Sequence, residues 1–141
     1  MPLPSSLIIS NLIVCERVLQ EEDKALSLIR MVDLFVVSGI GEGHFVEMHV
    51  NASCKFHHSD TGKHVINILL IRPTAGTMPL ACDFEFELSP AIEYPLSPTG
   101  ATVTIKVNVT AREEGVHFFA MLVDGAEAAR YPFTLALRKD D

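Results

Sequence analysis

The chain has no tryptophan, two tyrosines and three cysteines among its 141 residues. Three cysteines cannot close into a disulfide framework, and Cys15, Cys54 and Cys82 lie far apart among apolar neighbours, which suits buried thiols acting as small hydrophobes. Basic residues are scarce: 11 Lys and Arg stand against 18 Asp and Glu, for a formal net charge of -7. Without clustered cations there is no counterion-release term to drive binding to nucleic acid or to anionic lipid, so neither is expected as a partner. Uninterrupted apolar runs are short, Leu34 to Val37 being typical, so none can span a bilayer. The opening Met1-Pro2-Leu3-Pro4-Ser5-Ser6 lacks the cationic start of a secretory signal, which leads to the expectation of a cytoplasmic protein.

What is abundant is apolar. Hydrophobic residues make up 48% of the chain and mean hydropathy is +0.28. A chain of this length fits one domain, residues 1–141, and buries about two-thirds of its unfolded surface without help from metal or disulfide. The surplus of apolar residues points to a covered surface between subunits.

Periodicity supplies the fold. Phe45 to Phe56 alternates cleanly, with Val46, Met48, Val50, Ala52, Cys54 and Phe56 on one side and Glu47, His49, Asn51, Ser53 and Lys55 on the other. Val103, Ile105, Val107 and Val109 alternate with threonines, Lys106 and Asn108. Leu80, Cys82, Phe84, Phe86 and Leu88 alternate with Ala81, Asp83, Glu85 and Glu87. Val65 to Ile71, apart from Asn67, and Val116 to Val123 are apolar on both faces and should be central. Gly115 to Val123 and Ala129 to Leu137, joined through Asp124-Gly125, read as a closing hairpin, since glycine tolerates the positive φ of tight turns. Phe119 and Tyr131 are expected to lock that hairpin into the core.

Leu7 to Leu19 and Ala25 to Val37, around a charged break at residues 20–24, read as an opening hairpin, with a single amphipathic helix as the alternative. Ser38 to Gly43 is a flexible loop, and the proline-rich stretch from Ser89 to Gly100 a crossover between sheets. About eight strands with turns between them and no βα alternation predict an all-β fold. The expected form is an antiparallel two-sheet β-sandwich of immunoglobulin-like architecture.

Two segments carry a resemblance. Cys15-Glu16-Arg17-Val18 through Leu26-Ser27-Leu28-Ile29-Arg30-Met31-Val32-Asp33 resembles the opening hairpin of a family of small uncharacterised bacterial proteins, a domain of unknown function. Gly115-Val116-His117-Phe118-Phe119 through Asp124-Gly125 to Tyr131-Pro132-Phe133 is similar to the ending of the same family. The chain departs from the family pattern at His117, where an aromatic is more usual, and at Asp23-Lys24, where the first turn often carries Asp-Gly. The resemblance implies a β-sandwich and no activity.

Candidate chemistry is thin. Among His44, His49, His57, His58, His64 and His117, the sharpest set is His57, His58 and His64, which flank a turn and could approach one another as metal ligands; a solvated turn is the competing reading. Asp83, Glu85 and Glu87 stand about 6–7 Å apart along one strand face, too dispersed for a calcium site. Cys54 and His57 are close in sequence, but alternation turns Cys54 inward, away from nucleophilic work. Gly39 to Gly43 lacks the Lys-Ser or Lys-Thr of a phosphate loop and precedes a strand. The expectation is a non-enzymatic, cofactor-free module that binds itself, most simply as a dimer, or a protein partner. The rival is a metal-dependent small enzyme or binder using the turn histidines.

Overall fold

The computed structural model describes residues 2–20, 26–31, 33–74, 76–90 and 93–139, with the backbone alone at 17–20, 26–31 and 81–82. The described residues hold nine strands and no helix: β1 (Leu7–Gln20), β2 (Leu26–Met31), β3 (Leu34–Val37), β4 (Phe45–Phe56), β5 (Lys63–Ile71), β6 (Thr77–Glu87), β7 (Thr99–Thr110), β8 (Gly115–Val123) and β9 (Ala126–Leu137). They form a four-stranded sheet of order β2-β1-β4-β7 and a five-stranded sheet of order β3-β9-β8-β5-β6. The expected crossover holds, since β6 lies in one sheet and β7 in the other.

Alternation explains how the two sheets share a core. Met48, Val50, Ala52, Cys54 and Phe56 of β4 are buried, as are Ile66, Ile68 and Leu70 of β5 and Phe119, Met121 and Val123 of β8. These side chains belong to one hydrophobic cluster drawn from both sheets. Between β4 and β7 the register runs from Phe45↔Thr110 to Phe56↔Thr99 without a shift. Gly100 is obligatory in that ladder, because an added Cβ would come within 1.8 Å of the Cys54 carbonyl oxygen.

The closing hairpin is the one the Asp-Gly signal predicts. Val123 faces Ala126 across a two-residue loop, and φ is 51° at Asp124 and 85° at Gly125. Two successive positive φ values define a type I′ turn, whose twist matches that of the flanking strands. Phe119 is fully buried and pairs with half-buried Tyr131. Phe133 stacks on Phe119 at 4.9 Å and on His117 at 5.1 Å, and Phe35 meets its edge at 6.0 Å.

Two expectations are corrected. The run from Ala25 to Val37 is not one strand: β2 pairs antiparallel with β1, but β3 leaves for the other sheet and runs parallel to β9 from Leu34↔Thr134 to Val37↔Leu137. The fold is therefore of mixed orientation, not wholly antiparallel. The physical reason lies in Phe35 and Val37, whose burial against Phe133 and its cluster is available only beside β9. The turn at residues 21–24 lies outside the described residues. The alternation of β6 is also interrupted: the register against β5 shifts on both sides of Ile68, and Asp83 adopts φ of 62°. Asp tolerates this left-handed conformation better than most residues, which lets the strand bulge.

Two predictions follow from this core. Phe119→Ala should cost about 3–5 kcal/mol in chemical denaturation, the range for emptying a buried aromatic site; a loss below about 1 kcal/mol would place the ring outside the core. His117 is fully buried, its Nδ1 donates to the Gly115 carbonyl at 3.0 Å and its Nε2 has no hydrogen-bond partner. His117→Phe keeps the stack on Phe133 and removes a buried unsatisfied lone pair, so stability should hold or rise by about 1 kcal/mol.

Candidate functional site

The polar focus of the molecule is the turn between β4 and β5. The chain leaves β4 at Phe56 and reverses through a turn closed by Asp60 N donating to the His57 carbonyl at 3.0 Å. Asp60 Oδ1 then accepts from Gly62 N at 2.8 Å, the local side-chain turn for which aspartate is suited. Asp60 Oδ2 accepts from the Ser6 hydroxyl at 2.5 Å, tying the N-terminal segment to the turn.

His64, the second residue of β5, points inward and is only 8% exposed. Its ring lies on Phe56 at 4.2 Å between centroids and 19° between planes. Nε2 is 2.8 Å from Asp60 Oδ2, and Nδ1 is 2.6 Å from Asp124 Oδ2. Ionised carboxylate oxygens only accept, so beside two of them the ring is favoured in its charged form, an imidazolium that donates from both nitrogens. Asp124 is committed further, since Oδ1 accepts from Val65 N at 2.9 Å and its own N donates to the Val65 carbonyl.

Burial alone would drive the His64 pKa down, but the hydrogen bonds to Asp124 and Asp60, with their negative charge, outweigh it and hold the pKa above the usual histidine value. The Ser6 hydroxyl, the Gly62 N–H and His64 together hold the Asp60 carboxyl below the ordinary range. The arrangement is a charge-assisted brace across three stretches of chain. While the ring is charged it offers no base, because neither nitrogen of His64 then keeps a free lone pair.

The three histidines that sequence spacing grouped, His57, His58 and His64, have different partners. His57 and His58 lie against one another with ring centroids 4.1 Å apart and planes tilted by 36°, and His57 Nδ1 accepts from Ser59 N at 3.2 Å and lies 2.7 Å from the Ser59 hydroxyl. His64 turns away from them to its two carboxylates. Among the described residues no group of three or more His, Cys, Asp or Glu is arranged to hold a metal ion. Asp60 and Asp124, which complete the brace, were invisible to spacing alone: Asp60 lies four residues before His64 but Asp124 lies 60 residues after it. The only signal was the turn-forming chemistry that both residues share.

Cys54 is buried on the inner face of β4, and burial pushes its thiol pKa up, the opposite of an activated thiolate. Asp83, Glu85 and Glu87 are exposed along β6. An open hollow of about 430 Å³ lies beside the brace, lined by Lys63, His64, Val65, Glu85, Phe86 and Glu87.

With this geometry in view, comparisons inform the fold. No family model matches the chain, and no curated protein matches it. Among solved structures, it is similar to a β-glucosidase from Listeria innocua, with 14% identity and a TM-score of 0.52 over 91% of this chain. The same enzyme in complex with glucose gives 13% and 0.52. In both cases the chain spans only 16% of the neighbour's length. An alkylpurine DNA glycosylase from Pseudomonas fluorescens matches at 13% identity over 89% of this chain and 30% of its own, with a TM-score of 0.43. At these identities the glucosidase likeness shows fold alone.

The brace has a definite pH signature. With its raised folded-state pKa, charged His64 contributes stability that is fully present below about pH 6.5, the unfolded value, and lost as pH rises through the folded value. Asp60, with a lowered folded-state pKa, contributes above about pH 4 and loses its contribution as pH falls through its folded value. The difference in melting temperature between the native chain and His64→Gln should therefore be largest near about pH 5–6 and shrink toward pH 9. A difference that stays flat across that range would mean the ring carries no charge.

Proposed function

We propose that the protein is a non-enzymatic β-sandwich of immunoglobulin-like architecture that associates with a second copy of itself through its five-stranded sheet. The observation that carries this reading is the outer face of that sheet. Strand pairing places Ile71 beside Phe118 and Leu69 beside Ala120, Phe118 beside Pro132, and Leu34 and Val36 beside Thr134 and Ala136. Leu34, Val36 and Val116 are 53%, 54% and 48% exposed, and no element among the described residues packs over them. A sheet whose two faces are both apolar asks for a cover on each.

The charges on this face suit a self-complementary contact. Arg130 lies over the Phe118 ring at 5.0 Å and pairs with Glu127 at 2.7 Å. A two-fold contact presents the same patch from both sides, so each Arg130-Glu127 pair can meet its counterpart in exchange. The net charge of -7 keeps an assembly soluble without entering this contact.

Several features support the rest of the reading. Leaving aside the edge strands β2 and β3, the order β9-β8-β5-β6 opposite β1-β4-β7 supports an immunoglobulin-like reading, in which these strands take the G-F-C-C′ and A-B-E places. In its charged form His64 has no lone pair to act as a base, and burial raises the Cys54 thiol pKa, which supports binding over catalysis. Cys54 is buried on the inner face of β4 and joins no disulfide, and no described helix is long and apolar enough to cross a membrane.

Light scattering coupled to size exclusion tests the proposal. The native chain should elute at twice its 15.5 kDa mass, and the double substitution Leu34→Asp with Val116→Asp should weaken association at least about tenfold by desolvating new charge against an apolar partner. A native chain of single mass at all micromolar concentrations would defeat it.

A further inference from the structure

The four-stranded sheet ends on one side at β7. Its inner side is paired with β4 along twelve unshifted positions, while its outer edge pairs with no strand among the described residues. An unpaired edge presents a row of N–H and C=O groups that template another strand, and proteins usually guard it. The five-stranded sheet shows such guards: β3 is four residues long, and β6 carries Pro79, register shifts and the left-handed Asp83, with Glu85 and Glu87 beyond. β7 has no proline, no bulge and a single charged residue, Lys106, in Thr99–Thr110. Its inward Val103, Ile105 and Val107 are only half-buried, unlike Val109. The core is open along this edge.

The approach to β7 is also shaped for contact. Tyr94, Pro95, Leu96 and Ser97 form a turn closed by Ser97 N donating to the Tyr94 carbonyl at 3.0 Å. It holds Tyr94 and Leu96 at 68% and 75% exposure, the residue types that anchor interfaces when pre-positioned. Where β7 begins, a hollow of about 210 Å³ is lined by Lys55, Pro98, Gly100 and Thr102 among others.

We propose that the free edge of β7 is a strand-addition site for an extended segment of another protein. Backbone hydrogen bonds to β7 would supply affinity, and alternate side chains specificity. Inward apolar residues of the added strand would cover Val103, Ile105 and Val107. Outward residues would meet Lys106, whose side chain stays 60% exposed although its Nζ lies 3.4 Å from Glu47 Oε1, so the segment carries carboxylates at those positions. Self-pairing of two β7 strands centred on Ile105 would set each Lys106 diagonal to its own copy, about 7–8 Å away. That repulsion favours an acidic segment over a second copy.

The site lies on the sheet opposite the proposed self-association face, so it can be tested in the Leu34→Asp, Val116→Asp background, where failure of one reading leaves the other intact. The probes are two synthetic twelve-residue peptides, one alternating Val with Glu and one alternating Val with Lys, followed by amide hydrogen exchange. The acidic peptide should slow exchange across β7 at least about tenfold and bind at least about tenfold tighter than the basic one, with Lys106→Glu reversing the order. Lys106 is exposed, so Lys106→Glu changes surface charge while leaving the core untouched, and an unchanged far-ultraviolet spectrum checks that the variant is folded. No protection of β7 by either peptide at millimolar concentration overturns the proposal. Protection of β7 that grows with protein concentration in the absence of peptide also overturns it, by assigning the edge to a second copy.

Discussion

Asp124 is the residue on which three strands converge. Its backbone takes the left-handed conformation that reverses β8 into β9, its Oδ1 accepts from Val65 N at the start of β5, and its Oδ2 holds the imidazolium of His64. The closing hairpin is thereby clamped to the strand beside it at its tip, while the aromatic stack of Phe119, Phe133 and His117 clamps it lower down. Asp60 repeats the device on the other side of the ring and draws in Ser6. A buried cation held between carboxylates is tolerable only because each nitrogen finds an acceptor and the ring face finds Phe56.

In its charged form His64 donates through both nitrogens, and at this end of the molecule that holds separate stretches of chain together. The two proposed contact surfaces lie elsewhere. One is the apolar outer face of the five-stranded sheet, where demand is for exclusion of water. The other is the edge of β7, where demand is for backbone partners. These are different currencies of recognition, and the first is satisfied by shape and area while the second is satisfied by any extended chain of compatible side chains.

Similarity to a 16% portion of a large glucosidase fits this view of the fold as a scaffold. A two-sheet all-β core can be held together by alternation and a few turns, leaving loops, faces and edges to differ. The C-terminal hairpin, the β4-β7 ladder and the crossover between β6 and β7 make up the frame of this chain.

Much of that frame was legible in the residues. Period-two alternation placed the inner face of β4 and of β7, because a one-residue slip would have turned every apolar side chain to water. Asp124-Gly125 specified the closing hairpin, because few residue pairs accept two positive φ values in succession. The double-sided apolar character of β5 and β8 was equally plain, and it pointed to an uncovered face before any strand order was known. What local pattern could not contain was partnership across long separations. The departure of β3 from β2 to lie parallel to β9 depends on Phe35 reaching Phe133, nearly a hundred residues away in the chain. The bulge at Asp83 arises from register against β5, which period-two counting along β6 cannot see. His64 looked like one of three turn histidines; only folding brought Asp124 to its Nδ1 and so made it a buried cation. The sequence by itself determined which residues face inward and where the chain turns, since these are set by neighbours one to three residues away. The tertiary structure alone decided which strands meet, which edge stays open and which nitrogen finds an acceptor, since these depend on residues that only the closed core brings together.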